Sequence, residues 1–148
     1  MEISNNINEL TYKIIGACME VHRELGPGFP EEYYQKALEL EFAEQNVLFE
    51  AQKPFALYYK QVQVGMNYLD FEIGEVLILE IKSVNQLTNI HMFQVLKYLA
   101  ASELDVALLV NFGKAKLEYK RILPTKKWQE FKSNSQQMKG RNSQQMKG

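Results

Sequence analysis

From Tyr68 to Lys82 the apolar residues fall on odd positions. Leu69, Phe71, Ile73, Leu77, Leu79 and Ile81 are apolar, whereas the even positions include Asp70, Glu72, Glu80 and Lys82. Side chains alternate faces along a strand, so the period predicts two strands, the odd set facing a core and the even set the opposite side. Gly74-Glu75 reads as the turn between them. A three-residue loop from Gly74 to Val76, centred on Glu75, sets Asp70 opposite Glu80 on one face, with Cβ atoms roughly 4.5–5.5 Å apart. Lys82 follows Glu80 on that face, about 6.6 Å further along the strand at a rise of about 3.3 Å per residue.

Helical periodicity precedes this hairpin. Ser4-Asn5-Asn6 supplies possible N-caps, and Leu10, Ile14, Ala17/Cys18, Val21 and Leu25 recur at the spacing of one helix face. Gly26-Pro27-Gly28 ends that helix. Pro30 suits the first turn of a second helix reaching about Gln45, with Tyr34, Leu38 and Phe42 as its apolar stripe, helped by Ala37. Glu31 and Glu32 lie in its first turn, where the helix dipole favours carboxylates. Val47 to Val64 has strand composition interrupted by Pro54, which predicts an edge strand or two strands with a break, with Lys60-Gln61 as a candidate turn. After the hairpin, Thr88 or Asn89 can cap a third helix to about Ser102. Its expected core face is Ile90, Phe93, Leu96 and Leu99/Ala100, and His91, Gln94 and Tyr98 fall within about 60° of one another on a separate face. Val106 to Val110 is a short continuous apolar run, the pattern of a strand buried on both faces. Lys116 to Ile122 alternates and reads as an edge strand, and Trp128 to Phe131 as a short helical turn. The order of elements implies an α/β fold, a mixed sheet flanked by helices.

Composition narrows the class. The chain has 148 residues, 46% hydrophobic and 24% charged, which suits a single domain with a real core. Its single cysteine, Cys18, excludes an intramolecular disulfide and falls on the apolar side of the first helix, as a buried structural thiol would. With no apolar run of membrane-spanning length and no basic leader pattern, the expectation is a soluble cytoplasmic protein with no membrane partner. Charge is unevenly placed. Residues 1–112 carry 7 basic and 16 acidic side chains, whereas residues 113–132 carry 7 basic and 2 acidic. The basic segment could contact phosphates, but lysines solvated on an edge strand explain it equally well. Asn134 to Gly140 recurs unchanged as Asn142 to Gly148. A repeat this short forms no solenoid unit, so residues 1–132 are expected to be the domain and 133–148 a disordered polar tail.

Two carboxylates and an ammonium converging on one face can do chemistry. Oxygen ligands suit a hard cation such as Mg²⁺ or Mn²⁺, which can activate water and offset charge on a phosphodiester. The alternative is a half-exposed hairpin whose Glu80 and Lys82 form a weak surface pair, and the hairpin alone favours it. Facing like charges disfavour a sheet unless something neutralises them. That points to a cation near Asp70 and Glu80, or to another register.

Further residues meet a known pattern. Asp70, nine residues, then Glu80-Ile81-Lys82 resembles the D…(D/E)-x-K signature of the PD-(D/E)XK nuclease superfamily. Gln94-Val-Leu-Lys-Tyr98 resembles the Q-x-x-x-Y motif of its RecB-like and Cas4-like branches. Gly28-Phe-Pro-Glu31-Glu-Tyr-Tyr34 resembles the motif naming the bacterial GxxExxY proteins, and the Leu25-Gly-Pro-Gly28 turn, the His91…Gln94 helix and Leu109-Val-Asn-Phe-Gly113 are similar too. The likeness covers about residues 7–123. It implies a restriction-endonuclease-like core and a nuclease acting on DNA or RNA. Asp70, Glu80 and the Ile81 carbonyl would be metal ligands for Mg²⁺ or Mn²⁺, Lys82 the water-activating lysine, Glu31 a helical carboxylate completing the site, and Gln94 and Tyr98 positioning groups. Tyr34 and His91 are weaker matches, and read slightly better as a packing tyrosine and a helix-surface histidine. The chain departs from the pattern at Tyr68, where many relatives have arginine, and at Glu72, where an apolar residue is usual and a carboxylate adds negative charge to the site face. A non-catalytic binding module that kept the fold, or a subunit completed by a partner, are the other readings. A domain this small has little surface to enclose a duplex, which leaves a homodimer open.

Overall fold

A computed structural model describes residues 2–123. The repeated tail and the helical turn expected at Trp128 to Phe131 lie outside the described residues. In chain order the elements are α1 (Glu2–Leu25), α2 (Glu31–Glu44), β1 (Phe49–Tyr59), β2 (Val62–Ile73), β3 (Leu77–Lys82), α3 (Asn89–Ser102), β4 (Val106–Asn111) and β5 (Glu118–Ile122). The strands form one mixed sheet in the order β1-β2-β3-β4-β5. Among the described residues only β3 and β4 pair in parallel, and the chain between them is the crossover through α3. This is a restriction-endonuclease-like α/β fold, as the sequence predicts.

Helices cover both faces of the sheet. Ile14, Ala17, Cys18 and Val21 of α1 and Tyr34, Leu38 and Phe42 of α2 are buried with Phe71, Ile73, Leu77, Leu79, Ile81, Leu108 and Val110. The periods read for α1 and α2 are therefore their packed faces. Helix α1 begins at Glu2, upstream of the Ser4–Asn6 caps. Burial raises the Cys18 thiol to about 12, which marks a packed, inert group. Opposite, Val95, Tyr98 and Leu99 of α3 are buried with Leu69, Ile78, Ala107, Leu109 and Ile122.

The hairpin register is the predicted one. Ile73 pairs with Leu77, Glu72 with Ile78 and Phe71 with Leu79, around a loop in which Gly74 and Glu75 have φ of 58° and 61°. Lys60 and Gln61 turn the β1–β2 hairpin with φ of 47° and 68°, the double positive φ of a two-residue loop that follows sheet twist. Pro54 lies within β1, an outer strand with a single neighbour, where its missing N–H costs no ladder bond toward solvent.

Two expectations fail. The odd residues do not all face one core, because Phe71 packs on the α1/α2 side and Leu69 on the α3 side. Alternation breaks at Asp70, across from Gln52, whose φ is 52°. The core face of α3 is also rotated from the one read. Ile90 is 77% exposed and Phe93 60% exposed, whereas Val95, Tyr98 and Leu99 are buried. Helix α3 is apolar around most of its circumference, so period alone offers two stripes, and docking on Ile78, Ala107 and Leu109 selects one.

Candidate active site

Strands β2 and β3 part where their carboxylates meet. The ladder stops at Phe71–Leu79, and at the next step side chains replace backbone partners. The Asp70 N–H donates to Glu80 Oε1 at 3.0 Å, and the Ile81 N–H donates to Asp70 Oδ2 at 2.8 Å. The two carboxyl groups also hydrogen-bond each other. This crossed arrangement satisfies the backbone donors that a parting sheet would orphan.

Glu80 is buried, 4% exposed, and Asp70 is half-buried. Burial, then the Asp70 charge, pushes the Glu80 carboxyl up to about 8. Burial likewise raises Asp70, with a further push from the Glu31 charge. Two carboxylates this close, one buried and one half-buried, cannot both ionise fully without a compensating cation. Lys82 supplies part of that compensation, acting on both through its charge.

Behind the lysine runs a chain of side chains. Lys82 Nζ donates to Gln94 Oε1 at 3.1 Å, and Gln94 Nε2 donates to the Tyr98 hydroxyl oxygen at 3.0 Å. Asn67 also hydrogen-bonds Tyr98, and Phe55 packs edge-on against its ring at 5.4 Å. Burial raises the Tyr98 phenol, helped by the charge on Glu80. Gln94 and Tyr98 are four residues apart, one turn along α3, so the helix sets Tyr98 behind Gln94 and Gln94 against the lysine.

Helix α2 closes the other side. Glu31, in its first turn, stands close enough for its charge to act on Asp70. One turn later, Gln35 Nε2 donates to the Asp70 carbonyl oxygen at 3.2 Å, while its Oε1 is buried with no partner among the described residues. All six side chains selected from the sequence (Glu31, Asp70, Glu80, Lys82, Gln94 and Tyr98) thus meet at one end of the sheet. Gln35 and Asn67 were missed. The signal for Gln35 was its spacing of four from Glu31. A lone asparagine in an alternating strand carries no signal for Asn67.

The remaining candidates have other work. Tyr34 is fully buried; its hydroxyl donates to the Gly26 carbonyl at 2.6 Å and accepts from the Phe29 N–H at 3.1 Å. Its ring stacks on Phe112 at 4.4 Å, and the Gly28 N–H donates to the Phe112 carbonyl. Tyr34 therefore moulds the turn that leads into Glu31. His91 Nδ1 accepts from the Thr88 N–H at 3.0 Å and caps α3. Glu72 adds no free charge to the site, contrary to the sequence reading: Lys53 Nζ lies 2.6 Å from its carboxylate. The partner lies on a neighbouring strand and is invisible to a local pattern. Tyr68 is half exposed.

The end of β4 is tied to the segment after Lys82. Asn111, fully buried, accepts from the Val84 N–H at 3.0 Å and donates to the Val84 carbonyl at 3.0 Å. The Phe112 N–H donates to the Lys82 carbonyl at 2.7 Å. A Cβ on Gly113 would overlap the Val84 carbonyl and lie 2.5 Å from its nitrogen, so glycine alone permits this approach.

Whether these residues fit a divalent cation can be judged from the donors. Among the described residues no three His, Cys, Asp or Glu side chains gather as a ready metal cluster. Asp70 and Glu80 give two, and the partnerless Gln35 oxygen beside Asp70 suits an ordered water. Mg²⁺ is commonly held by one or two carboxylates with several waters retained, so the donor set fits.

A search of the curated proteins found no match, and a search of the solved structures found none. Among the described residues no helix is long and apolar enough to cross a membrane. A family model described as the PD-(D/E)XK nuclease superfamily matches residues 8–122, a span that runs from α1 through β5 and holds every residue of the site. The chain belongs to the PD-(D/E)XK nuclease superfamily.

Proposed function

We propose that this chain is a divalent-metal-dependent nuclease that hydrolyses phosphodiester bonds of DNA or RNA, and that it sits in the GxxExxY branch of its superfamily. Membership supports nuclease chemistry in general. The finer reading rests on one observation: a buried and a half-buried carboxyl group, each accepting from the backbone at the parting of β2 and β3 and close enough to act on one another, with a lysine beside them held by an amide. A structural ion pair would not bury two like charges together, whereas a cation site needs them so. Branch placement draws on Gly28…Glu31…Tyr34 and Gln94…Tyr98.

Asp70 and Glu80 would hold Mg²⁺ or Mn²⁺, with the Ile81 carbonyl as a third oxygen. Bound there, the ion supplies Lewis-acid stabilisation of charge growing on the phosphate. Lys82 places an ammonium next to the carboxylates, where it can orient the attacking water and stabilise the negative charge that develops. Gln94 fixes the lysine, and Tyr98 fixes Gln94. Glu31 accepts a hydrogen bond from water on the α2 side and draws it toward Asp70.

The test is cleavage of labelled single- and double-stranded DNA and RNA in Mg²⁺, Mn²⁺ or EDTA, beside Glu80→Ala and Lys82→Ala. Cleavage that requires metal and is lost in both variants supports the reading and both roles. Cleavage that survives in both places the chemistry elsewhere. A folded protein that neither cleaves nor binds Mn²⁺ ends the enzymatic reading and leaves a binding module on this fold.

A further inference from the structure

The stripe of α3 that docking leaves out of the core adjoins the site. Ile90 and Phe93 are 77% and 60% exposed, and Lys97, one turn beyond Phe93, is exposed as well. Facing them is the β1–β2 hairpin, with Leu57 and Asn67. Between helix and hairpin runs a groove of about 500 Å³, within the range of small-ligand sites. Gln94 and Tyr98 also line the groove; Gln94 holds Lys82, and Tyr98 holds Gln94. The groove is therefore continuous with the candidate centre.

We propose that this groove seats one unpaired nucleotide of the substrate strand, next to the phosphate being cut, and so directs the enzyme to single-stranded or locally opened nucleic acid. The proposal rests on the nuclease reading of the site. The lining matches a nucleobase. Phe93 offers an exposed ring face, Ile90 and Leu57 add apolar contact, and the amides of Asn67 and Gln94 with the Tyr98 hydroxyl offer polar edges. Stacking on an aromatic ring accepts any base, because every base has a π-face. A base inside a duplex has both faces covered and cannot present one to Phe93.

Charge favours the same occupant. The body of the chain is acidic, with 16 acidic against 7 basic side chains over residues 1–112. Among the described residues the groove is lined by no carboxylate, and its one charged lining residue is Lys97, placed where a flanking phosphate could pair with it. An apolar peptide in the groove would desolvate the Lys97 ammonium with no anion to pair with it, at a cost. A nucleotide brings its own phosphate.

The test is binding, read separately from cleavage. Fluorescence anisotropy with a labelled single-stranded oligonucleotide and with a blunt duplex is measured in Ca²⁺ for the wild type, Phe93→Ala, Phe93→Trp, Ile90→Ser and Lys97→Ala. A series carrying 2-aminopurine at successive positions reports stacking. Losing one stacked base should raise the single-strand Kd about five- to a hundredfold in Phe93→Ala, leave the duplex Kd unchanged, and abolish a fluorescence change seen at one position. Phe93→Trp should retain both signals. Lys97→Ala should lower the salt slope by about one. Phe93 is largely exposed, so folding should survive, and circular dichroism checks it; Ile90→Ser is the second probe of the same wall. An unchanged single-strand Kd in both wall variants overturns the proposal, as does equal weakening for single strand and duplex. A wild type that binds no oligonucleotide overturns it too, and self-association in its place would identify a protein-binding face. Loss of binding in Phe93→Ala, in a protein that cleaves nothing, would uphold the groove while the nuclease reading falls. Normal cleavage with unaltered binding would do the reverse.

Discussion

Replacing Glu80 by glutamine should make the metal-free protein more stable at high pH while removing its response to divalent cations. Glu80 has an ordinary value of 4.5, and in the folded chain burial and the Asp70 charge push it up to about 8. The folded state therefore binds a proton more tightly than the unfolded state. Stability is full below about pH 4.5, declines as pH rises toward 8, and is flat above. At 1.36 kcal/mol per pH unit the gap corresponds to about 5 kcal/mol as an upper bound. Asp70 and Glu80 share the proton, so they titrate as a pair and the drop belongs to both. For a chain of this size 1 kcal/mol moves Tm by about 2–4 °C, which makes the effect on the order of 10 °C. Glutamine keeps an oxygen to accept the Asp70 N–H and never ionises. The assay is thermal unfolding of wild type and Glu80→Gln from pH 4.5 to 8.5 in EDTA, and again with Mn²⁺. In EDTA the difference between the two proteins should widen with pH in favour of the variant. With Mn²⁺ at 100 times its Kd the wild type should gain about 2.7 kcal/mol and the variant almost nothing. Parallel curves in EDTA would refute the burial argument. Equal stabilisation of both proteins by Mn²⁺ would refute the assignment of Glu80 to the cation.

Three other outcomes check the scaffold. Tyr34→Phe leaves the Gly26 carbonyl and Phe29 N–H without their partner and should cost about 1–3 kcal/mol, read as a lower urea midpoint at constant m-value. Gly113→Ala forces a methyl into the Val84 backbone and should cost about 1–3 kcal/mol or more; because that segment follows Lys82, cleavage should fall further than the Tm shift alone explains. Cys18, buried and raised to about 12, should resist thiol reagents in the native protein and react fully in denaturant; rapid native labelling would show that α1 opens.

What the chain determines locally, and what only packing decides, separate cleanly at particular residues. Strand alternation is a property of the pleat, and a short loop counts residues, so Asp70 opposite Glu80 with Lys82 beyond was legible without coordinates. The same holds for the buried faces of α1 and α2, whose apolar stripes are bordered by charge. The turn at Lys60-Gln61 was legible from the strands on either side, although neither residue is a strong turn former. Pro54 left an edge strand or a broken pair open, because proline has no N–H to give, and the unbroken outer strand β1 is the first of these. Other features arise between elements distant in sequence. Lys53 neutralises Glu72 across two strands, Gln35 reaches Asp70 from a helix, and Leu69 changes faces where β2 parts from β3. Helix α3 shows the reason most plainly. Ile90, Met92, Phe93, Val95, Leu96 and Leu99 wrap much of its circumference, so a 3.6-residue period has more than one solution. Apolar burial is non-directional, and the face that was buried is the one complementary to Ile78, Ala107 and Leu109. That choice turned Gln94 toward Lys82 and left Ile90 and Phe93 exposed beside it.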